Sequence, residues 1–379
     1  MQYGLTQEQE MLQKTMKKLA AEKIAPRAGE VDEKEEFPRD IYEILLEHGV
    51  LSLPFPEEYG GLNVDLLTYC LVVEELSKIG LTALPFLTSY SGALDCFLAG
   101  GTPEQKKEYL SRLLGGEFFA FVLTEPGAGS DVASMKTRAV LEGDEYILNG
   151  TKCFISNADS ADILVVYAKT DPDAGIRGIS AFIMEKDTPG FYISRKEKMM
   201  GARAFQSCEV VFEDCPVPKE NLLGKEEGKG LTIILKFLHK GRIIVAASAV
   251  GLAQGALDYA IDYAKGRSQF GQPIAQFQGM QFLLADLASQ LEAARQLTYK
   301  AATVAKEGGR EGMKLACMSK YLATGMCMRV TTEAVQVMGA NGYMRDYPLE
   351  RMMRDAKSLQ ILEGTTQIQQ AAIARGLLE

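Results

Sequence analysis

Near the end of the chain, Ser358-Leu-Gln-Ile-Leu-Glu-Gly-Thr-Thr-Gln-Ile-Gln369 sets one carboxylate, Glu363, between an aliphatic run and a Gly-Thr-Thr turn. Two readings compete for such a residue. It is a solvated acid at a helix end ahead of a capping glycine, or a base held in an apolar pocket on backbone that Gly364 allows to bend. Three further segments carry chemically useful groups. Phe121-Val-Leu-Thr-Glu-Pro-Gly-Ala-Gly-Ser-Asp131 joins a strand to a small-residue loop. Its N–H groups and the Thr124 and Ser130 hydroxyls can cradle a polar ligand, although a plain strand-to-loop turn reads the same way. Phe154-Ile-Ser-Asn157 closes a strand with an aromatic and a hydroxyl, and read alone it is core plus turn. Arg267-Ser-Gln-Phe-Gly-Gln-Pro-Ile-Ala-Gln-Phe-Gln278 ends one helix and starts another, with Arg267 free to face a phosphate or to complement the helix dipole.

Several chemistries are excluded. Gly127-Ala-Gly129-Ser-Asp lacks the third glycine and the βαβ context of a dinucleotide fold, and Gly224-Lys-Glu-Glu-Gly228-Lys-Gly230 is not a P-loop. With only two histidines, His48 and His239, a histidine-rich metal site is ruled out and a Ser-His-Asp arrangement is poorly supplied. A net charge of −9 without a long basic run argues against nucleic-acid binding. The seven cysteines are dispersed, with no Cys-x-x-Cys, and read as reduced core thiols in a cytosolic setting. The start, MQYGLTQEQEML, has no basic stretch followed by an apolar core, and no apolar run is long enough to span a bilayer. A cytoplasmic protein without membrane insertion is expected.

Three regions must position these groups. Thr6 with Gln9 makes a capping-box pattern, and Leu12, Met16 and Leu19 repeat at helical spacing until Pro26. The stretches Ile41–Leu51 and Leu66–Leu76 read as helices too, with the loop PEEYGGLN between them. From Phe118 to about Phe212 the segments are short and β-rich, with hairpin signals at Gly143-Asp144 and at Leu148-Asn149-Gly150-Thr151. An antiparallel barrel or sandwich is expected there. After Gly230 the chain returns to helices, with a Leu284, Leu287, Leu291 stripe and an Ala-rich run from Ala246 to Ala264. The fold class is α+β multidomain: an N-terminal helical domain over 1–116, a middle β-domain over 117–228 and a four-helix-bundle-like C-terminal domain over 229–379.

The segments FVLTEPGAGSD, TKCFISN, RSQFGQPIAQFQ, AVQVMGANGY and ILEGTTQIQ, in this order within a helix–β–helix chain, resemble the acyl-CoA dehydrogenase family over essentially all 379 residues. The resemblance implies FAD as cofactor and oxidation of an acyl-CoA thioester to its 2,3-enoyl-CoA. It implies that Glu363 is the catalytic base. It assigns Phe121, Leu123, Thr124, Ser130, Phe154, Ile155 and Ser156 to the flavin face, and Thr365, Thr366 and Gln367 to the completion of that site. Arg267, Phe277 and Gln278, with Gln336, Val337, Met338, Gly339 and Ala340, would hold the adenosine-diphosphate part of FAD, in the neighbouring subunit of a homotetramer. Ser130, His239, Arg242, Gly364, Tyr90 and Ser91 would meet the acyl-CoA. Two departures stand out. The chain has no tryptophan where relatives often carry one beside the flavin, and Leu238-His-Lys-Gly-Arg242 replaces the commoner Leu-Asp-x-Gly-Arg.

The resemblance also implies an electron-transferring flavoprotein as acceptor. An acyl-CoA oxidase passing electrons to oxygen is an alternative, although such relatives are typically longer. A non-catalytic flavin-binding member that contacts nucleic acid is another, opposed by the charge and by Glu363. No Arg or Lys lies in Leu84–Phe97 to receive a second carboxylate, so a dicarboxylyl thioester is disfavoured. Tyr90 and Ser91 in that stretch favour a short, branched or alicyclic acyl group.

Overall fold

The expected capping box is present: Thr6 accepts from the Gln9 amide while the Gln9 side chain accepts from the Thr6 N–H, opening α1 (Gln7–Leu19). In the computed structural model, which describes residues 4–305 and 309–378, the helical path does not stop at Pro26. A π-turn over Ala20–Ile24 leads directly into α2 (Ala25–Lys34), where Pro26 occupies the first turn. The wide turn closes with Ala25 N–H on Ala20 O, and the proline, which has no N–H to give, follows at the head of α2. The N-terminal layer continues with α3 (Arg39–Glu47), α4 (Leu66–Ser77), α5 (Leu84–Gly100) and α6 (Pro103–Leu114).

Seven strands follow: β1 (Phe119–Val122), β2 (Arg138–Glu142), β3 (Glu145–Ser156), β4 (Ile163–Lys169), β5 (Ile179–Glu185), β6 (Phe191–Lys196) and β7 (Ser207–Pro218). They form one sheet in the order β1-β4-β2-β3-β7-β6, with β5 also on β4. Gly143-Asp144 joins β2 to β3 as expected. Two expectations are corrected. The sheet is mixed, since β1 and β2 both run parallel to β4. Asn149-Gly150 is not a hairpin but a bulge inside β3, where the register against β7 slips between Leu148 and Gly150. Asn149 exchanges hydrogen bonds with Asp214 across the slip, and Thr137 packs where a Cβ on Gly150 would stand. A glycine can therefore serve close packing within a strand as well as a turn.

The C-terminal layer is α7 (Gly230–Gly266), a two-residue hairpin β8–β9 (Ser268–Gln269 with Gln272–Pro273), α8 (Gln278–Val304), α9 (Gly309–Met338), α10 (Leu349–Leu359) and α11 (Thr366–Leu378). α7 is long and apolar enough, by length and composition, to cross a membrane, but 78% of its most apolar window is buried inside the protein. Its small residues explain the burial: Gly251 and Gly255 let the α4 carbonyls of Glu74 and Lys78 approach the helix directly. Asp355 on α10 then ties all three layers, accepting from Leu81 N at 3.2 Å and from Ala202 N at 2.6 Å. All seven cysteines are free and buried.

Candidate active site

Beyond α10 the chain reverses through two successive left-handed residues, Glu363 (φ 51) and Gly364 (φ 98). A left-handed non-glycine residue costs about 1 kcal/mol or more, so the surroundings must hold it. Thr366 N closes the turn on Gln360 O at 3.0 Å, Gln369 Nε2 reaches Glu363 O at 3.4 Å, and the Gly364 carbonyl takes two further bonds. Gly364 O accepts from Lys320 Nζ on α9 at 2.6 Å and from the buried Gln369 Nε2 at 2.9 Å. This turn sends the Glu363 carboxylate across α7 at Gly241, where any Cβ would overlap Oε2. A glycine at 241 is what leaves the carboxylate its space.

Glu363 Oε2 is sealed from solvent without a hydrogen-bond partner. Burial pushes the carboxyl up to about 7, against the opposing pull of Lys320 and Arg242; Asp95 adds a smaller push upward. Lys320 is itself pushed down to about 8 by burial, with Glu363 resisting. Arg242, buried on α7, directs Nη1 at two sulfur atoms, Met313 Sδ at 3.1 Å and Cys317 Sγ at 3.3 Å. Sulfur is a weak acceptor, so the guanidinium keeps its charge for the site. A carboxylate with one oxygen buried and unshared, and a pKa near neutrality, suits proton abstraction.

The flavin-face segments lie side by side. Cys153 N donates to Thr124 O at 2.9 Å, and the buried Lys152 Nζ donates to Leu123 O and Glu125 Oε1, both at 2.9 Å. Glu125 also accepts from Lys136 N and Thr137 N, while its own backbone bridges to Ala128. This clamp fixes the Thr-Glu-Pro-Gly turn and leaves open space outside Gly127 and Gly129. Alternation along β3 turns Phe154 and Ser156 outward and buries Ile155; Phe154 is 67% exposed with φ 58. Thr365 and Thr366 are half-buried, and Gln367 is exposed at the start of α11.

The residues expected on the adenosine side gather at a different corner. Tyr263 O accepts from Arg267 N at 2.8 Å, and Tyr263 OH accepts from Asn341 Nδ2 at 2.9 Å, so the end of α7 and the end of α9 meet there. Arg267 caps α7 and, among the described residues, has no ion-pair partner. Phe270, at the hairpin tip, is 95% exposed. Gln278, Gln336, Gly339 and Ala340 are exposed and Phe277 is half-buried, whereas Val337 and Met338 point into the core.

The residues expected to meet the acyl-CoA separate. Arg242 and Gly364 adjoin Glu363. Tyr90 is fully buried in the N-terminal layer, its hydroxyl engaged with Tyr42 OH at 2.7 Å and Leu113 O at 2.9 Å. Ser91 is buried on the same helix, and Ser130 is exposed on its loop. His239 is half-buried against Gly312 of α9, its Nε2 unpartnered; burial first, then Lys236, Lys240 and Arg242, lower its pKa and keep it neutral at pH 7. The α5 residues that face α7 include Gly92, against which the Phe237 ring packs, Gly100, against Ile233, and Asp95, paired with Lys240 at 2.6 Å. Phe237 stacks on Phe121 with ring centres 4.1 Å apart.

Three family models cover the chain: the acyl-CoA dehydrogenase N-terminal domain matches residues 6–117, the middle domain 120–215 and the C-terminal domain 228–378. The chain belongs to the acyl-CoA dehydrogenase family. It is an oxidoreductase acting on a CH–CH bond. It is 46% identical over 379 residues to a cyclohex-1-ene-1-carbonyl-CoA dehydrogenase of Syntrophus aciditrophicus, covering 99% of this chain and 91% of that one. Its structure superposes on butyryl-CoA dehydrogenase from Megasphaera elsdenii with a TM-score of 0.96 at 43% identity, and each chain is covered in full. A chain in a structure of the electron transferring flavoprotein of Acidaminococcus fermentans matches with a TM-score of 0.95 at 45% identity, again over 100% of both. FAD is the family's cofactor, and the open turn at Gly127–Gly129, the outward Phe154 and Arg267, which has no ion-pair partner among the described residues, fit it.

Proposed function

We propose that this chain converts a short, branched or alicyclic acyl-CoA to its 2,3-enoyl-CoA, with Glu363 as the base and an electron-transferring flavoprotein as the electron acceptor. The carrying observation is the Glu363 carboxylate: its Oε2 is sealed from solvent without a hydrogen-bond partner, and the group is raised to about 7 and given room by Gly241. Glu363 takes the α-proton of the thioester. Its own backbone N–H, turned by the left-handed conformation, is a donor for the thioester oxygen as negative charge grows there, as in an oxyanion hole. FAD held there would supply the acceptor for the hydride that leaves the β-carbon. The Thr124 and Ser130 hydroxyls and the N–H groups of Gly127, Gly129 and Ser130 would supply polar contacts, since Pro126 has no N–H and those of Glu125 and Ala128 are bonded within the turn; Phe154 would supply a ring face, and Thr365, Thr366 and Gln367 would extend the cofactor site from the base turn.

The compact acyl group is supported by Phe237. It lies four residues before Gly241, hence on the same face of α7, and its ring fills the space a side chain at position 92 would need. An acyl chain running along α7 from Glu363 therefore meets an aromatic stack. Arg242 belongs to this pocket, with His239 at its margin; Tyr90 and Ser91 back the pocket wall and shape it indirectly.

Arg267, Phe277, Gln278 and Gln336–Ala340 belong to a half-site whose other half is a second copy, in a homotetramer in the cytoplasm. The domain limits we adopt are 1–116, 117–228 and 229–379. The test is anaerobic titration of the yellow holoenzyme with straight, branched and ring acyl-CoA thioesters. Loss of flavin absorbance is expected with the compact members and not with long chains. Bleaching by long chains alone contradicts the substrate class, and oxygen outpacing an electron-transferring flavoprotein in reoxidation contradicts the acceptor.

A further inference from the structure

Lys320 is 1% exposed, deep in α9. Its helical neighbours Ala316, Cys317, Ala323 and Thr324 are buried as well, so it projects from the core-facing side of the helix. No carboxylate pairs with it within salt-bridge distance among the described residues. A buried ammonium without a direct counter-ion is costly to keep. A structural explanation for retaining it is weak. The Gly364 carbonyl it bonds already accepts from Gln369, and a neutral amide at 320 could supply the same kind of hydrogen bond. What lysine alone adds is a positive charge beside Glu363.

We propose that Lys320 is a positioning residue for the base: it pins the Glu363–Gly364 turn through the Gly364 carbonyl and sets the field in which the Glu363 carboxylate ionises. The inference rests on the reading of Glu363 as the base. The charges that face Glu363 come from three packed elements: Lys320 from α9, Arg242 from α7 and Asp95 from α5. Asp95 is itself neutralised in part by Lys240. His239 on α7 is kept neutral by burial and by its cationic neighbours. Arg242 points its Nη1 at sulfur, so Lys320 is the cation whose hydrogen bond reaches the base turn itself.

The sign follows directly. Burial favours the protonated carboxyl, whereas Lys320 favours the carboxylate. Removing the lysine charge raises the pKa of Glu363, so less of the base is ionised at a given pH.

The experiment is the pH profile of kcat/KM for the FAD-loaded enzyme as wild type, Lys320→Gln, Lys320→Arg and Lys320→Met, with Glu363→Gln beside them. Lys320→Gln keeps a donor for Gly364 O and loses the charge; its acidic limb is expected to move to higher pH by about one unit. Lys320→Arg keeps the charge, so its limb stays near the wild-type position even if the rate drops. Lys320→Met moves the limb as Gln does and also lowers the rate at every pH, because the turn loses a tether. An even fall in rate with an unmoved limb in Gln and Met overturns the proposal and leaves Lys320 a packing residue. An Arg variant shifted as far as Gln overturns it as well, and this comparison stands if Met fails to fold. Activity retained by Glu363→Gln points instead to failure of the base assignment.

Discussion

The turn that carries Glu363 and the corner that carries Arg267 are built on opposite plans. At the turn, every group is already engaged or enclosed: Lys320 and Gln369 hold one carbonyl, Gly241 clears a space, and the carboxylate fills it with Oε2 sealed from solvent. At the corner, Arg267 has no counter-ion among the described residues, Phe270 is 95% exposed, and Gln336, Gly339 and Ala340 face outward. The difference separates chemistry from assembly. With Glu363 as the proposed base, a single chain would complete the proton-transfer site, because a base must be preorganised before substrate arrives. The corner proposed for the adenosine end presents an arginine without a counter-ion among the described residues, and the proposal gives a second chain the other half of that site.

Three substitutions break or sharpen this contrast, from the largest effect to the smallest. Lys152→Met removes the cation of a fully buried pair and strands Glu125 beneath the flavin loop. Breaking such a pair costs about 3 kcal/mol or more, and the loss is expected in the unfolding midpoint of the chain whatever its assembly. A midpoint equal to that of the wild type would mean the clamp is not structural. Arg267→Ala touches only the open corner. Charge-assisted hydrogen bonds to a phosphate are worth about 1.5–3 kcal/mol, so FAD affinity is expected to fall roughly 10- to 100-fold. Because FAD stabilises the assembled state by linkage, the oligomer should weaken in parallel, as light scattering and the flavin-to-protein absorbance ratio can follow. Weaker FAD binding with unchanged assembly would confine Arg267 to its own chain. Phe237→Ala opens the aromatic end of the acyl path without touching the base. It should shift the kcat/KM optimum toward longer chains by about tenfold, in keeping with one to three kcal/mol per methylene-sized change. An unchanged chain-length profile would remove Phe237 from the pocket.

Much of this arrangement was legible in the residues, and the illegible part has physical causes. Helix starts such as the Thr6 capping box depend on contacts three residues apart, so the sequence carries them directly. The Glu363-Gly364 dipeptide read equally well as a solvated helix end, and the resemblance carried by the five segments together, not the local pattern, singled it out. Asn149-Gly150 misled because the same dipeptide serves a hairpin and a bulge, and only the slip of β3 against β7 decides between them. Parallel pairing of β1 with β4 is a long-range choice that no local pattern encodes. Tyr90 was expected at the substrate, but its place on α5 points it at Tyr42 and Leu113, whereas Gly92 and Asp95 face α7. Lys320 left a readable signal that passed unused: a lone lysine at helical spacing from Ala316, Cys317, Ala323 and Thr324, all small or apolar enough to be core. Gly241 could not be read at all, since its purpose is the space it leaves for a residue 122 positions later.

The central claim is that Glu363 removes the proton that starts the reaction. Its most direct test is the anaerobic rate of flavin bleaching when the FAD-loaded protein is mixed with a compact acyl-CoA, compared between wild type and Glu363→Gln. The substitution keeps size and hydrogen-bonding capacity and removes basicity. The account expects the variant to bind FAD normally and to bleach about 10²- to 10⁴-fold more slowly. Bleaching at the wild-type rate would contradict it.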